Sequence, residues 1–279
     1  MTLNTVEFVG LVGAGAFAAG LLGALTGLGG GVVIVPLLTL VFGVDFRYAV
    51  GASLVSVIAT SCGAAAAYVR EGYANIRVGM FLEVATTIGA ILGAYLAGLI
   101  STSALAVVFG LVLLYSAWSA SRPRPEHVVA TANPIAVRLR LDGTYPTAEG
   151  EREYHVQRVP LGFSLMLAAG ALSGLLGIGS GAVKVLAMDQ AMCLPFKVST
   201  TTSNFMIGVT AAASAGIYLM RGYIDPGLAM PVMLGVLAGA SLGARILTRA
   251  TPKALRAVFA LVILALAVEM LYNGATGRL

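Results

Sequence analysis

Two stretches decide how this chain folds: Thr26-Gly27-Leu28-Gly29-Gly30-Gly31-Val32-Val33-Ile34-Val35-Pro36 and Leu176-Gly177-Ile178-Gly179-Ser180-Gly181-Ala182-Val183-Lys184-Val185-Leu186. Each interrupts an apolar run. The first packs Gly27, Gly29, Gly30 and Gly31 into five residues, and each glycine in a helix costs about 1 kcal/mol relative to alanine. The second, with three glycines and Ser180, is nearly as poor a helix. Beyond each break the apolar run lasts roughly 12 residues, well short of the roughly 20 that span a bilayer. The spacing predicts a helical hairpin that re-enters the membrane in each half.

The two stretches lie 150 residues apart, and that shift overlays the chain on itself without a gap. Gly20 falls on Gly170, Phe46 on Phe196, Arg47 on Lys197, Ser53 on Ser203 and Tyr68 on Tyr218. Gly72-Tyr73 falls on Gly222-Tyr223, and Gly89, Ala90, Gly93 and Ala94 fall on Gly239, Ala240, Gly243 and Ala244. Shared Leu and Val could reflect composition, but Gly, Tyr and Phe in ungapped register point to a duplication.

Around the breaks lie long apolar runs, including 8–27, 48–69, 78–100 and 104–120, with similar runs from Leu161 onward. Apolar types make up 58% of the 279 residues and charged types 10%, too few charges to cover a soluble surface of this size. Backbone amides in hydrocarbon must be bonded within their own segment, so the runs read as helices; the alternating strands of a membrane barrel are not visible. The first run has no Lys or Arg before it and exceeds a signal-peptide core, so it reads as a retained helix. Cys62 and Cys193 sit in apolar segments and read as packing residues. The expected fold is an all-α integral membrane protein with two inverted-topology repeats, each a Gly-broken re-entrant hairpin plus three transmembrane helices. The expected limits are 1–120 for the N-terminal repeat, 121–160 for a cytoplasmic loop and 161–279 for the C-terminal repeat.

Charge supplies the orientation. The turn Ser101-Thr102-Ser103 is uncharged, whereas its counterpart is flanked by Arg245, Arg249, Lys253 and Arg256. By the positive-inside rule the first lies outside and the second inside, which makes the repeats inverted. The arginine-rich loop 121–160 then falls in the cytoplasm and both termini outside, in a multi-pass protein of the cell inner membrane. Within that loop Val137-Arg138-Leu139-Arg140-Leu141 alternates, with Asp142-Gly143 as a turn signal, and Glu153 to Val159 alternates weakly, which suggests a small β-hairpin. The net charge of +5 reflects such loops, and no nucleic-acid partner is expected. His127 and His155 are isolated and make no metal site.

Glycine-rich tips let backbone amides converge, and the helix that follows each break points its positive end at the tip. Gly29, Gly30 and Gly31, with Gly179, Ser180 and Gly181, are therefore candidate anion-binding residues. Ser53 and Ser56, and the run Thr201, Thr202, Ser203 and Asn204, offer uncharged donors close by. The alternatives are helix capping and back-bonding for the hydroxyls, and close helix packing for Gly20, Gly93 and Gly243. Lys184 replaces Ile34 of the first half and is costly at depth unless it balances an anion or reaches an interface. Glu83 is the other buried-looking charge and a candidate for proton coupling.

The glycine motif running to Pro36, its counterpart from Gly177 to Val185, and Phe196-Lys197-Val198-Ser199-Thr200-Thr201-Thr202-Ser203-Asn204-Phe205-Met206 resemble the TauE/SafE family of membrane transporters. The resemblance covers nearly the whole chain outside the central loop. It implies export of sulfite or an organosulfonate such as sulfoacetate. Ser180 and Leu186 depart from the usual glycine and proline, so the second hairpin could bend differently. The expected activity is secondary transport of a small anion by alternating access, with the anion held between the two tips near the bilayer midplane. The lipid bilayer is the other partner, and a homodimer is left open. No Walker A motif is present and no cofactor or metal is expected. An intramembrane enzyme would need a nucleophile–base pair or ligands at depth, and no membrane-embedded histidine is present. A cation carrier would prefer paired carboxylates, and proton-coupled carriage of another small solute is the remaining alternative.

Overall fold

The computed structural model describes residues 4–26, 31–70, 73–120, 133–147, 150–247 and 252–277. The first half contains α1 (Thr5–Thr26), α2 (Gly31–Pro36), a π-helical turn Leu37–Val41, α3 (Phe46–Arg70), α4 (Ile76–Ala97) and α5 (Thr102–Ala120). A short segment follows, with α6 (Pro134–Arg138), β1 (Gly143–Thr147) and β2 (Gly150–Tyr154). The second half contains α7 (Val159–Leu176), α8 (Gly181–Leu186), a π-helical turn Ala187–Ala191, α9 (Phe196–Met220), α10 (Pro226–Leu247) and α11 (Pro252–Thr276). From α2 through the start of α5, element bounds recur at a shift of 150 residues. Leu186 in place of Pro36 does not change this: both short helices have six residues and both pass into a five-residue π turn. The π widening therefore does not depend on a proline's missing N–H.

Helices α4, α7 and α9 are long and apolar enough to cross a membrane by length and composition. On α4, Met80, Val84, Ile88, Ile91 and Tyr95 are exposed while Val78, Leu82, Ala85, Gly89 and Gly93 are buried. An exposed stripe that is itself apolar suits lipid, because water would penalise it. The short helix and π turn from Gly31 to Val41 are different in kind. At 1.5 Å per residue they extend about 16 Å, roughly half a hydrocarbon core, and α2 is wholly buried.

Glycine sets which helices meet. A Cβ at Gly89 or Gly93 would collide with the backbone of Leu167 or Ala171, and one at Gly170 or Gly174 with that of Thr86 or Ala90. These contacts join α4 to α7 along parallel axes. The equivalent crossing joins α1 to α10, where Gly20 meets Val236, Gly235 meets Gly13 and Gly239 meets Phe17. Without a hydrophobic force between helices in lipid, such backbone approach supplies the dispersion contact that holds them. Gly20 and Gly93 thus act in packing. α3 crosses α9 antiparallel: Ser61 Oγ donates to the Asn204 carbonyl at 2.7 Å and accepts from Gly208 N at 3.0 Å. α5 and α11 are antiparallel too, with Gly110 against Leu271 and Gly274 against Val107.

The strands of the central segment are not where the alternation put them. β1 and β2 pair antiparallel from Gly143↔Tyr154 to Thr147↔Gly150, while Val137 and Arg138 end α6. Asn133 caps α6 by accepting from Ile135 N at 2.9 Å, and Pro134 fits its first position, so local capping outweighs the strand pattern. Leu141, Tyr145, Tyr154 and Val156 pack in one core with Val78 and Leu82 of α4 and with Met188 and Met192 around the second π turn. Asn75 ties this segment down. Its Oδ1 caps α4 at Val78 N (3.0 Å), and its Nδ2 donates to Leu141 O (2.9 Å) and to the Tyr154 hydroxyl (2.7 Å). Burial of the Tyr154 phenol pushes its pKa up to about 12, so it remains neutral as an acceptor.

Candidate functional site

Gly31, which ends the first glycine break, meets the second break. Gly29 and Gly30 lie outside the described residues. Gly31, the first residue of α2, is buried, and a Cβ there would stand 2.8 Å from Ser53 Oγ and 3.1 Å from the Gly177 carbonyl of the other half. In the second break Gly177, Gly179 and Ser180 all take left-handed dihedrals, with φ of +67°, +69° and +47°. Glycine accepts such dihedrals freely; serine at Ser180 does so at a cost. The Ser180 hydroxyl is buried and has no hydrogen-bond partner, a further expense that a bound group at the tip would offset.

The serines below the tips are committed to carbonyls. Ser53 Oγ donates to Gly177 O at 2.8 Å, with Gly31 O at 3.4 Å, and its counterpart Ser203 donates to Gly181 O at 3.3 Å. These bonds fix each short helix to the long helix after it and, through Ser53, one half to the other. Ser56 back-bonds to Ser53 O at 2.7 Å and Thr201 to Lys197 O at 2.9 Å. Thr202 accepts from Asn75 N at 3.0 Å. The half-buried Asn204 contributes its carbonyl to Ser61. Ser53, Ser56, Thr201 and Ser203 thus all spend their hydroxyl hydrogens on backbone carbonyls, those of Ser53 and Ser203 on carbonyls of the glycine breaks, and Thr202 accepts from a backbone N–H.

Lys184 is fully buried, so it does not reach an interface. Its Nζ donates to Thr210 Oγ1, and Thr210 Oγ1 lies 2.7 Å from Glu83 Oε1. Thr87 adds a second donor to the same carboxylate oxygen at 3.3 Å. Glu83 Oε2 is buried without a partner. The sequence reading left Glu83 standing alone; it is joined to Lys184 through one hydroxyl, across α4, α8 and α9. Two lone charges of opposite sign at depth were a signal for this, because a buried charge needs a counter-charge. Thr210 was missed; its repeat partner is Thr60. In the equivalent place of the other half stand Ile34, Thr60 and Met233, so only one of the two places is charged.

The profile of the sulfite exporter TauE/SafE family matches residues 12–270. Among curated proteins, the chain is 27% identical over 276 residues to the probable membrane transporter protein YunE of Bacillus subtilis (strain 168), covering 96% of this chain and 99% of that one. It is 28% identical over 273 residues to a probable membrane transporter protein of Xylella fastidiosa (strain 9a5c), covering 96% and 94%. The archaeal probable membrane transporter protein MJ0441 of Methanocaldococcus jannaschii is 25% identical over 256 residues. No solved structure matches. With nearly its whole length inside the family profile, and with paired glycine breaks between apolar helices, the chain belongs to the sulfite exporter TauE/SafE family.

Proposed function

We propose that the protein is a secondary transporter of the inner membrane that exports small anions, such as sulfite or an organosulfonate, by alternating access. In this reading the repeats 1–120 and 161–279 have inverted topology, the segment 121–160 is cytoplasmic, and α2 and α8 are the inner arms of re-entrant hairpins. The antiparallel runs of α3 with α9 and of α5 with α11 support inversion, because an axis in the membrane plane makes equivalent helices antiparallel. The short length of α2 and α8 supports re-entry. The anion would lie between the glycine tips, contacting Gly29, Gly30, Gly31, Gly179, Ser180 and Gly181, with Ser53, Ser56, Thr201, Thr202, Ser203 and Asn204 around it and Lys184 as the positive charge.

The observation that carries the reading is the fully buried lysine three residues into the short helix that leaves the second tip. Relatives named as probable membrane transporters, and the family's description as sulfite exporters, supply the substrate class. The test is flux of a radiolabelled panel (sulfite, sulfoacetate, taurine, sulfate and choline) in proteoliposomes. Anions should move and choline should not. Lys184→Met should raise the apparent KM or abolish flux with folding intact. Normal flux by that variant at low substrate would remove Lys184 from the site, and flux of choline alone would overturn the anion reading.

A further inference from the structure

The charge on Lys184 is already answered within the protein. Thr210 accepts from Lys184 Nζ, and its single hydroxyl hydrogen has three acceptors in reach: Glu83 Oε1 at 2.7 Å, Met206 O at 3.0 Å and, more distant, Thr86 Oγ1 at 3.4 Å. An anion arriving at Lys184 would bring a second negative charge beside the Glu83 carboxylate, in a buried place. We propose that Glu83 is a tethered counter-anion, and that a substrate anion binds only as Glu83 takes up a proton, so that one proton accompanies each anion. This rests on the reading of Lys184 as part of the anion site.

The exchange balances. Before binding, the site holds one ammonium and one carboxylate. Afterwards it holds the ammonium, the substrate anion and a neutral carboxylic acid. The proton goes to Glu83 Oε2, the buried oxygen with no partner. The Thr210 hydrogen turns from Glu83 Oε1 to the Met206 carbonyl and so keeps an acceptor, and the new Glu83 Oε2–H is left for the arriving anion to accept. Thr210 is thus a positioning residue, its hydrogen moving from the carboxylate to the Met206 carbonyl. Other groups leave this pair to itself. Among the described residues, α7 brings no titratable side chain, and α9 brings Lys197 at its start and Tyr218 near its end, where it donates to Gly174 and Leu175 carbonyls. The π turn after α8 brings Asp189, buried and engaged on its own account. The hairpin brings Tyr145 and Tyr154 to the core around Val78 and Leu82, and α4 itself carries Arg77 and Tyr95. Lys184 is the charge that acts on Glu83.

The experiment is anion binding to the purified full chain in detergent, followed by isothermal titration in two buffers of different ionisation heat, which counts protons. The probes are methanesulfonate and isethionate, which remain monoanions near neutral pH. Wild type should take up about one proton per anion, and its affinity should fall about tenfold per pH unit above the titration of Glu83. Glu83→Gln, which keeps an acceptor for Thr210, should bind without proton uptake and with no pH slope. Thr210→Val should lower the proton count and Thr210→Ser restore it. Lys184→Met should not bind. If wild type binds without proton uptake, or if Glu83→Gln keeps it, while Lys184→Met fails to bind, the coupling is wrong and the anion site stands. Binding by Lys184→Met at wild-type affinity overturns the role of Lys184 and this inference with it. Failure of every probe to bind wild type overturns the anion reading itself.

Discussion

The guanidinium of Arg47 lies 5.6 Å from the centroid of the Tyr223 ring and donates from Nη1 to its hydroxyl at 3.2 Å. Shift both residues by 150, in opposite senses, and the same relation appears between Lys197 and Tyr73, with Nζ 5.5 Å from the ring centroid. Each cation leaves the first turn of one long helix and meets the tyrosine just past the end of the other, which is how α3 and α9 come to be antiparallel. Arg47 also donates to the Ile100 carbonyl at 3.2 Å. Tyr223→Leu should therefore lower thermal stability by about 1 kcal/mol, the scale of a partly desolvated cation–π contact. Arg47→Lys should lose less than Arg47→Ala, because it keeps the charge over the ring. Equal losses in a thermal-shift assay would mean that the ring contact contributes nothing.

Labelling from the two sides of the membrane tests the orientation of the repeats. Single cysteines at Ser103 and Thr251, in a background with Cys62 and Cys193 removed, should react with impermeant thiol reagents from opposite faces. Reaction of both from one face would rule out inversion.

At Ser180 the backbone is left-handed and the hydroxyl is buried without a partner. Ser180→Gly should raise thermal stability by about 1 kcal/mol, since glycine takes φ near +47° without strain. Ser180→Val should lower it, because a β-branched side chain is poorly accommodated there. A Gly variant less stable than wild type would show that the serine hydroxyl holds the tip in place.

The helix crossings give a contrast between glycines. Gly93→Ala and Gly170→Ala put a Cβ into facing backbone and should each cost about 1–3 kcal/mol by overpacking. At Gly10 and Gly216 nothing stands within 4 Å of an added Cβ, so alanine there should be neutral or stabilising by up to about 1 kcal/mol. Melting curves of the four purified variants separate the two classes.

Asn75 joins α4, α9 and the central hairpin through four hydrogen bonds. Asn75→Ala should cost about 2–3 kcal/mol, from a lost cap and stranded polar partners. Asn75→Asp keeps the cap and loses the Nδ2 donors, so it should fall between alanine and wild type. If aspartate is no better than alanine, the cap is not what matters at this position.

Much of the architecture was legible because a glycine-for-helix penalty is local. Gly27 to Gly31 and Gly177 to Gly181 break a helix whatever surrounds them, and the 150-residue register could be read from Gly, Tyr and Phe alone. The central strands were misplaced because Asn133 and Pro134 start a helix that the alternation of Val137 to Leu141 does not reveal. At the site, Lys184 was visible as the exception to its repeat partner. Its connection to Glu83 was not, because it runs through Thr210, a hydroxyl that looks like any other on a membrane helix until three helices are brought together. The commitments of Thr201 and Thr202 to backbone were equally hidden, since a run of hydroxyls does not say which of them already have partners.

The backbone contacts of α1 with α10 and of α4 with α7 carry a consequence for synthesis. α1 and α4 are both translated before α10 and α7, the helices that fill their glycine faces. The first half must wait, laterally mobile or held by the insertion machinery, until α7 and then α10 emerge. A chain truncated after residue 120 should insert and then be degraded, and supplying residues 121–279 as a separate polypeptide should rescue it.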